Sequence, residues 1–423
     1  MRGRENRSGP TEGTNLEFIF PLVGGPHARK RGRPRPSPRH MKVVGLFAGI
    51  GGIELGLSRA GHESILLNEI DPSAGAVLRF RFPGVPLHED VTTLSRLPEG
   101  TDLVTAGFPC QDLSQAGKTA GIDGKKSGLV GEVFRLLDDR DVPWVLLENV
   151  PFMLQLAGGR ALDVIINSLE ARGYRWAYRV VNSLSFGVPQ RRERVFLLAS
   201  RESDPRDILL ADDSVEPLVE REAVGRVACG FYWTEGIRGL GWAVDSVPTL
   251  KGGSTIGIPS PPAILMPNGF VGKPDIRDAE RLQGFPVDWT KPAEGISRAS
   301  SRWKLVGNAV TVNVAEWLGR RLRTPGIYDS GMDSVLRKGQ PWPRAAWCLG
   351  EDRHSSTVTS WPTQRARKPL EDFLRFPAEP LSQRATSGFL ARTRTASLRF
   401  PHGFIRAVEA HLEQLNDSDR IAV

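Results

Sequence analysis

From Met41 onward, short apolar runs alternate with stretches of helical periodicity, and few folds accommodate this alternation. The runs predict strands at residues 42–47, 64–68, 102–106, 145–147 and 195–199. Helical periodicity lies between them, for example at residues 54–60 and 161–172. Repeated strand–helix units predict a doubly wound, mainly parallel α/β sheet. Ligands of such a sheet bind at the carboxyl ends of its strands.

The alternation stops near residue 200 and returns after residue 275. Residues 200–275 are rich in glycine, proline and aromatic side chains and show few helical periods. This predicts a smaller, β-rich domain inserted into the sheet domain. We therefore predict a main domain of residues 41–199 that is completed by residues 276–330. Residues 331–423 form a carboxyl-terminal extension to which the pattern assigns no role.

The formal net charge of +8 is concentrated at the two ends of the chain. Residues 1–40 carry nine Lys or Arg and three Glu, and their Gly, Pro, Arg and Ser content predicts a disordered basic tail. Basic ends on a near-neutral body favour a polyanionic partner such as a nucleic acid, although solvated basic tails are a common alternative.

Composition excludes several classes of protein. No run approaches the roughly 18 consecutive apolar residues of a membrane span, so we expect no membrane association. The three cysteines, Cys110, Cys229 and Cys348, are too few and too scattered for a disulfide framework or a zinc site. We therefore expect no metal, and a reducing, cytoplasmic environment.

A glycine-rich turn, LFAGIGG at residues 46–52, follows the first predicted strand. Glycines between a strand and a helix let a ligand approach the backbone closely. Glu69 ends the second predicted strand, where a carboxylate can accept hydrogen bonds from ribose hydroxyls. A dinucleotide and an adenosyl cofactor both fit this pattern, and a tight strand–helix connection is the purely structural alternative.

Four side chains near other strand ends indicate a reaction centre. Cys110 follows the third predicted strand and precedes a polar, glycine-containing segment, which is typical of a reactive thiol. Glu148 ends another apolar strand, where a helix-capping or ion-paired acid is the purely structural alternative. Arg192 and Arg194 alternate along an extended segment, so both can point at one anionic or carbonyl group. A nucleophile, an acid and paired arginines beside an adenosyl-type cofactor form a candidate active site.

These blocks resemble those of the DNA (cytosine-5) methyltransferase family of bacterial restriction-modification systems. The resemblance spans roughly residues 41–325 and includes six blocks in the family's order, FAGIGG, GFPCQ, ENV, QRRER, RDAERLQGFP and GNAV. It implies transfer of a methyl group from S-adenosylmethionine to carbon 5 of cytosine in duplex DNA. The chain departs from the family at Ala309, where a serine is usual.

The resemblance implies a set of cofactor contacts. It places Phe47, Gly49 and Gly51 along the methionine and adenosine, Glu69 on the ribose, and Ile70 against the adenine. The other implied contacts are Asp90, Val91, Leu129, Asn308 and Val310.

The resemblance also implies roles for the four reactive residues. The Cys110 thiolate would attack carbon 6 of cytosine, and Glu148 would hold the exocyclic amine and donate a proton to N3. Arg192 and Arg194 would hold O2. Because the two faces of a base are covered in duplex DNA, the target cytosine must leave the stack first.

Sequence reading is expected in residues 200–275, where Pro248-Thr249-Leu250 resembles the one recurrent piece of the family's variable domain. The candidate DNA contacts are Ser114, Arg238, Thr249 and Lys251. We expect a monomer that binds double-stranded DNA. A cognate restriction endonuclease that acts on the same site is a candidate partner.

Three alternatives remain beside this interpretation. A cytosine-5 methyltransferase acting on RNA would share the fold, but the sizeable inserted domain suits duplex reading. A catalytically inactive DNA-binding relative would not need Cys110, Glu148 and the paired arginines. A nicotinamide dehydrogenase would need neither the cysteine block nor the arginine block.

Overall fold

The computed structural model describes residues 40–108, 128–218, 225–253 and 260–421 of the chain. Cys110 and Ser114 lie outside these ranges. The first eight strands are β1 (Lys42–Leu46), β2 (Glu63–Asn68), β3 (Leu87–His88), β4 (Leu103–Ala106), β5 (Trp144–Asn149), β6 (Arg175–Asn182), β7 (Gln190–Arg191) and β8 (Glu193–Ser200). All of them except β7 join one sheet in the order β6-β8-β5-β4-β1-β2-β3.

Strands β5, β4, β1, β2 and β3 all run parallel to one another. Strand β8 lies between β5 and β6 and runs antiparallel to both. This confirms the predicted mainly parallel sheet for residues 41–200. The parallel strands are buried on both faces and consist largely of Val, Leu and Ile, as crossover helices on both sides require.

Helices cover both faces of this sheet. The helices up to residue 323 are α1 (Gly52–Arg59), α2 (Pro72–Arg81), α3 (Leu129–Asp138), α4 (Arg160–Glu170), α5 (Arg206–Leu209), α6 (Ile276–Leu282), α7 (Arg302–Asn308) and α8 (Val312–Arg323). Of these, α1, α3, α4, α5 and α8 pack in the two cores beside the sheet. Val44 and Leu46 of β1 pack in one core with α3 and α4, and Val43 packs in the other with α1 and α8. Alternate residues of a strand face opposite sides, so the sheet is doubly wound, as predicted.

A second, antiparallel sheet is built from very short strands. They are β9 (Cys229–Phe231), β10 (Trp242–Val244), β12 (Ala263–Leu265) and β13 (Val271–Lys273). Between them, β11 (Val247–Pro248) pairs with β7 and so joins the second sheet's region to the end of the main one. Strands of three residues cannot hold a sheet together by themselves, so this sheet depends on what packs against it.

The carboxyl-terminal region contributes to both sheets. Its strands β14 (Ser334–Val335), β15 (Ala345–Cys348) and β16 (Arg353–Ser355) extend the main sheet through antiparallel pairing of β15 with β6. After α9 (Leu370–Phe373), β17 (Glu379–Pro380) pairs with β13 as the fifth strand of the second sheet. Helices α10 (Gln383–Thr393) and α11 (Phe404–Ile421) then pack on that sheet.

Aromatic side chains from both pieces form the core of the second sheet. The Phe231 ring lies 4.7 Å from the Phe389 ring and 5.2 Å from the Phe404 ring, measured between centroids. All three are fully buried. We call residues 225–273 together with 379–421 the small lobe, because neither piece alone supplies its core. The sequence pattern had assigned no role to the second piece.

Candidate active site

A cavity of about 670 Å³ opens where β1, β2, β4 and β5 end. This is the edge at which ligands of a parallel sheet bind, and its volume lies within the usual range of about 300–1,000 Å³ for ligand pockets. Eleven of the residues predicted from the sequence line it: Phe47, Gly49, Glu69, Ile70, Asp90, Val91, Leu129, Glu148, Arg194, Lys251 and Asn308.

The glycine-rich turn after β1 forms one wall of the cavity. Phe47, Gly49 and Gly51 all have positive φ, at 55°, 57° and 80°. A side chain on Gly51 would overlap the Phe82 ring, whereas the space above Gly49 is open. The turn therefore needs glycine at both positions for conformation, and at Gly49 it leaves the backbone accessible to a ligand. Gly51 itself supports the turn and does not line the cavity.

Glu69 is held by the backbone on both of its carboxylate oxygens. One oxygen accepts from the Gly49 amide and the other from the Asp71 amide, each at 2.7 Å. Burial raises the pKa of Glu69, and the two amide donors oppose that rise. Each carboxylate oxygen can accept more than one hydrogen bond, so Glu69 keeps acceptor capacity for a ligand.

An apolar face and a second acid lie beside Glu69. The Ile70 side chain is 70% exposed, which is unusual for isoleucine and leaves a flat apolar surface at the mouth of the cavity. Asp90 accepts hydrogen bonds from the amide and hydroxyl of Thr92, which lower its pKa. Val91 is buried next to it.

Glu148 and Arg194 form an ion pair at the inner end of the cavity. Glu148 ends β5, and its Oε1 lies 3.1 Å from Nε of Arg194. Both side chains are largely buried, at 10% and 15% exposed. Burial raises the pKa of Glu148, and the positive charges of Arg194 and Arg192 oppose the rise. A raised pKa shifts this carboxyl towards the protonated form, in which it can donate a proton.

Arg192 has different surroundings from Arg194. It is 1% exposed and does not line the cavity. Its Nη atoms donate to the carbonyls of Leu250, at 2.9 Å, and Ala309, at 2.7 Å. Arg192 therefore joins the loop after β11 to the loop between α7 and α8.

Residues of those two loops form another wall of the cavity. Their backbones touch: a side chain on Gly307 would overlap Lys251, and one on Gly252 would overlap Asn308. Asn308 lines the cavity, whereas Val310 is buried behind it with its carbonyl against Gly52. Ala309, the departure from the family pattern, uses its carbonyl and not its side chain to hold Arg192.

Two further residues belong to the site although the sequence analysis did not select them. Asn149 donates to the Phe108 carbonyl at 3.0 Å and so holds the backbone at the end of the described segment after β4. Lys304 lines the cavity and pairs with Asp71 at 2.9 Å. Asn149 could have been selected from the sequence because it lies within the ENV block, whereas Lys304 lies in none of the six blocks.

The remaining predicted residues lie in three places. Cys110 and Ser114 are outside the described residues, although Phe108, two residues before Cys110, lines the cavity. Arg238 is exposed on the loop between β9 and β10. Thr249 donates through its hydroxyl to the Arg191 carbonyl at 2.9 Å.

Comparison with known proteins identifies the family. Residues 41–225 match the family described as C-5 cytosine-specific DNA methylase. The chain is 46% identical over 385 residues to the type II methyltransferase M2.BsuMI of Bacillus subtilis, covering 87% of this chain and 97% of that protein. The chain belongs to the C-5 cytosine-specific DNA methylase family.

Other relatives cover less of the chain. The type II methyltransferase M.HhaI of Haemophilus parahaemolyticus is 28% identical over 309 residues, which cover 66% of this chain and 93% of that protein. Among solved structures, the Dnmt2 methyltransferase of S. pombe covers 67% of this chain and 98% of that one, with a TM-score of 0.46 and 17% identity. About a third of this DNA methylase therefore lies outside the part that M.HhaI matches.

Family membership confirms the type of enzyme that the sequence predicted. The chain is a DNA cytosine-5 methyltransferase, as the six blocks indicated. Its substrate is DNA, and the dehydrogenase alternative is set aside. In the ranges that the structure describes, no group of His, Cys, Asp or Glu could hold a metal ion, and no helix is long and apolar enough to cross a membrane. From here on, residues 41–200 and 276–323 of this DNA methylase are called the catalytic region.

Proposed function

We propose that this DNA methylase transfers a methyl group from S-adenosylmethionine to carbon 5 of a cytosine within a specific duplex sequence, as the modification enzyme of a restriction-modification system. One observation carries the proposal. A single cavity contains, at one end, the glycine turn with Glu69 and, at the other, the buried Glu148–Arg194 pair. The cavity can therefore hold a nucleoside-bearing methyl donor and a pyrimidine ring next to each other.

The residues around the glycine turn fit S-adenosylmethionine. Glu69 has acceptor capacity for ribose hydroxyls, Ile70 offers an apolar face for the adenine ring, and the open space above Gly49 suits the methionine part. Phe47, Asp90, Val91, Leu129 and Asn308 line the rest of the cavity. Gly51 and Val310 shape the pocket from behind. When bound, the cofactor supplies an electrophilic methyl group for carbon 5.

We infer that Cys110 is the nucleophile. Carbon 5 of cytosine is a poor nucleophile until a thiolate adds to carbon 6 and turns the ring into an enamine-like species. Cys110 follows the cavity residue Phe108 by two positions, and consecutive Cα atoms are about 3.8 Å apart, so the covalent chain keeps this thiol close to the cavity. After methylation, loss of the carbon-5 proton and cleavage of the sulfur–carbon bond release the thiolate.

Glu148 and Arg194 then stabilise the charge that this attack pushes into the ring. The raised pKa of Glu148 favours donation of a proton to N3, while its second oxygen accepts from the exocyclic amine. Arg194 holds Glu148 and reaches O2. We assign Arg192 to positioning, because its guanidinium binds the Leu250 and Ala309 carbonyls and so holds their two loops in place.

The target cytosine reaches the cavity only after leaving the helical stack. We propose that Ser114, Arg238, Thr249 and Lys251 contact the DNA from which the base is extruded. Lys251 has the strongest support of the four, because it lines the cavity. Arg238 is exposed on the β9–β10 loop, as a base or phosphate contact requires.

We infer that the enzyme acts as a cytoplasmic monomer, with a restriction endonuclease of the same specificity as its partner. The support for this is the type II designation of its relatives and a cavity that side chains of one chain line. Cleavage of host DNA by the endonuclease after loss of the methylase gene is the expected test of the partnership.

The central experiment is bisulfite sequencing of DNA from cells that express the protein, with Cys110→Ala as the control. One short sequence should become methylated at carbon 5, and the variant should leave it unmodified. Duplex DNA with 5-fluorocytosine in that site should trap a covalent adduct at the Cys110 peptide, because fluorine cannot leave as a cation. Methylation of RNA alone would favour the RNA alternative, and an inactive wild type would favour a DNA-binding relative.

A further inference from the structure

The carboxyl-terminal piece of the small lobe is strongly basic on its surface. Residues 381–408 contain five arginines and no Asp or Glu. Arg392 points inward and donates to the Trp233 carbonyl. Arg394, Arg399 and Arg406 are exposed, and none of them has an ion-pair partner among the described residues. Exposed arginines without acidic partners give this part of the surface a positive potential that attracts anions.

Two hydrogen bonds fix this basic segment against the loop between β9 and β10. One is the Arg392–Trp233 contact at the end of β9, and the other runs from Nε1 of Trp242 to the Arg399 carbonyl at 3.0 Å. The same loop carries the exposed Arg238 proposed above as a DNA contact. We call Arg238, Arg394, Arg399 and Arg406 the basic edge of the small lobe.

The β9–β10 loop also connects the basic edge to the active site. Glu235 in this loop is buried, and its Oε1 lies 3.2 Å from the Lys251 ammonium. Lys251 lines the active-site cavity. A duplex that delivers a base to that cavity therefore passes close to this loop, to which the basic segment is bound through Arg392 and the Arg399 carbonyl.

A groove of about 1,210 Å³ continues from the basic segment towards the catalytic region. Leu398 of the small lobe lines it, and so do Arg191 and Arg365. Both arginines are exposed. The groove also contains the acidic residues Glu216 and Asp245, and Asp245 is neutralised by an ion pair with an arginine on the same wall. The net charge of this path is therefore positive.

We propose that Arg394, Arg399 and Arg406 bind backbone phosphates of duplex DNA beside the methylated site, so that the carboxyl-terminal segment is part of the DNA-binding surface. The inference rests on the proposed function, since it needs duplex DNA as the substrate. Arginine suits phosphate because its planar group can donate two parallel hydrogen bonds. The same helices that complete the core of the small lobe thereby extend its contact with DNA.

The experiment measures the Kd for a short random-sequence duplex at several salt concentrations, with the full chain. The test variant is the triple replacement Arg394→Gln, Arg399→Gln and Arg406→Gln. The matched control is Arg96→Gln, Arg337→Gln and Lys338→Gln, which removes the same charge from exposed positions on the main-sheet side. A third protein replaces the three basic-edge arginines by lysine.

Each lost phosphate contact should reduce the slope of log K against log salt by about 0.9. The glutamine triple should therefore bind with a slope smaller by about 2 to 3 and more weakly at low salt. The control triple should keep nearly the wild-type slope, and the lysine triple should retain most of it. Circular dichroism melting should be unchanged in all variants, since the replaced side chains are exposed.

A glutamine triple with the slope and affinity of wild type overturns this inference, provided that the wild type methylates DNA. An equal loss in the control triple also overturns it, because the effect would then be one of total charge. A wild type that neither binds the duplex nor methylates any DNA overturns the proposed function itself. The three outcomes are thus distinguishable in one set of measurements.

Discussion

The catalytic region and the small lobe reach a folded state by different routes. The central strands of the catalytic region have four to eight residues, lie in a continuous sheet and are buried on both faces. The small lobe has strands of two or three residues and a core that joins Phe231 to Phe389 and Phe404, more than 150 positions away. Under the proposed function, strand ends that a stiff sheet positions carry the chemistry, and loops on a lobe held together by packing read the DNA.

The largest expected effect separates chemistry from DNA binding. Glu148→Gln keeps the shape of the side chain but removes its proton, so the rate of methyl transfer should fall by about 10² to 10⁴-fold. Binding of duplex DNA should change little, because the small lobe is untouched. Single-turnover methylation and a binding assay check this, with Glu63→Gln, exposed at the start of β2, as the control. Near-normal transfer by the glutamine variant would exclude Glu148 as the acid.

A replacement in the core of the small lobe should impair DNA binding and spare cofactor binding. Phe231→Ala removes the ring that contacts Phe389 and Phe404, and such truncations cost about 3–5 kcal/mol. DNA affinity should be lost while the catalytic region still binds the cofactor. Phe80→Ala is the control, since that ring is 65% exposed. Simultaneous loss of cofactor binding and DNA binding would mean that the two regions unfold as one unit.

A buried acid in the catalytic region makes its stability depend on pH. Glu54 is 1% exposed, and burial raises its pKa from 4.5 to about 7. Below pH 4.5 Glu54 is protonated in both the folded and the unfolded protein, so its burial carries no ionisation penalty. Above about pH 7 it is ionised in both, and burial of the charge lowers the free energy of unfolding by the full penalty of about 3 kcal/mol. Stability should therefore fall as pH rises from about 4.5 to about 7.

Glu54→Gln removes this titration. The variant should be more stable than wild type in urea unfolding at about pH 8, by up to about 3 kcal/mol, and similar to it near pH 4.5. Glu63→Gln again serves as the exposed control. A stability difference that is the same at both pH values would show that Glu54 does not titrate between them.

The smallest expected effect concerns residues 1–40, which belong neither to the catalytic region nor to the small lobe. Residues 1–40 carry nine Lys or Arg and three Glu, so their deletion should weaken nonspecific DNA binding and flatten its salt dependence. The methylated sequence should not change, since β1 begins at Lys42. Bisulfite sequencing and salt titration of the shortened protein check both parts. Loss of cofactor binding would show instead that this segment is structural.

A domain exchange tests whether the two pieces of the small lobe fold only together. Transplanting residues 225–273 of a relative alone should give an unstable lobe, because its core lacks matching partners at 379–421. Transplanting both pieces should give a folded protein with the relative's target sequence. A folded, retargeted protein from the first exchange would show that the carboxyl-terminal piece does not complete the lobe.

The sequence predicted the catalytic region closely. The apolar runs at β1, β2, β4, β5 and β8 were found within a few residues of their true bounds, because each is a continuous buried strand between turns. Helix α2 (Pro72–Arg81) and strand β6 (Arg175–Asn182) were not predicted. The first interrupts its apolar residues with glycine and two arginines, and the second carries Arg179 inside an otherwise apolar run.

What the sequence determined by itself was the local chemistry: a glycine turn that demands positive φ, acids at strand ends, and a cysteine and two arginines in recognisable blocks. These depend on neighbours along the chain, which the sequence displays directly. The tertiary structure alone decided that Arg192 binds two loop carbonyls while Arg194 lines the cavity, that Lys304 joins the site, and that residues 379–421 complete the small lobe. Each of these depends on contacts between distant segments, whose pairing is set by the packing of the whole chain and leaves no periodic signal.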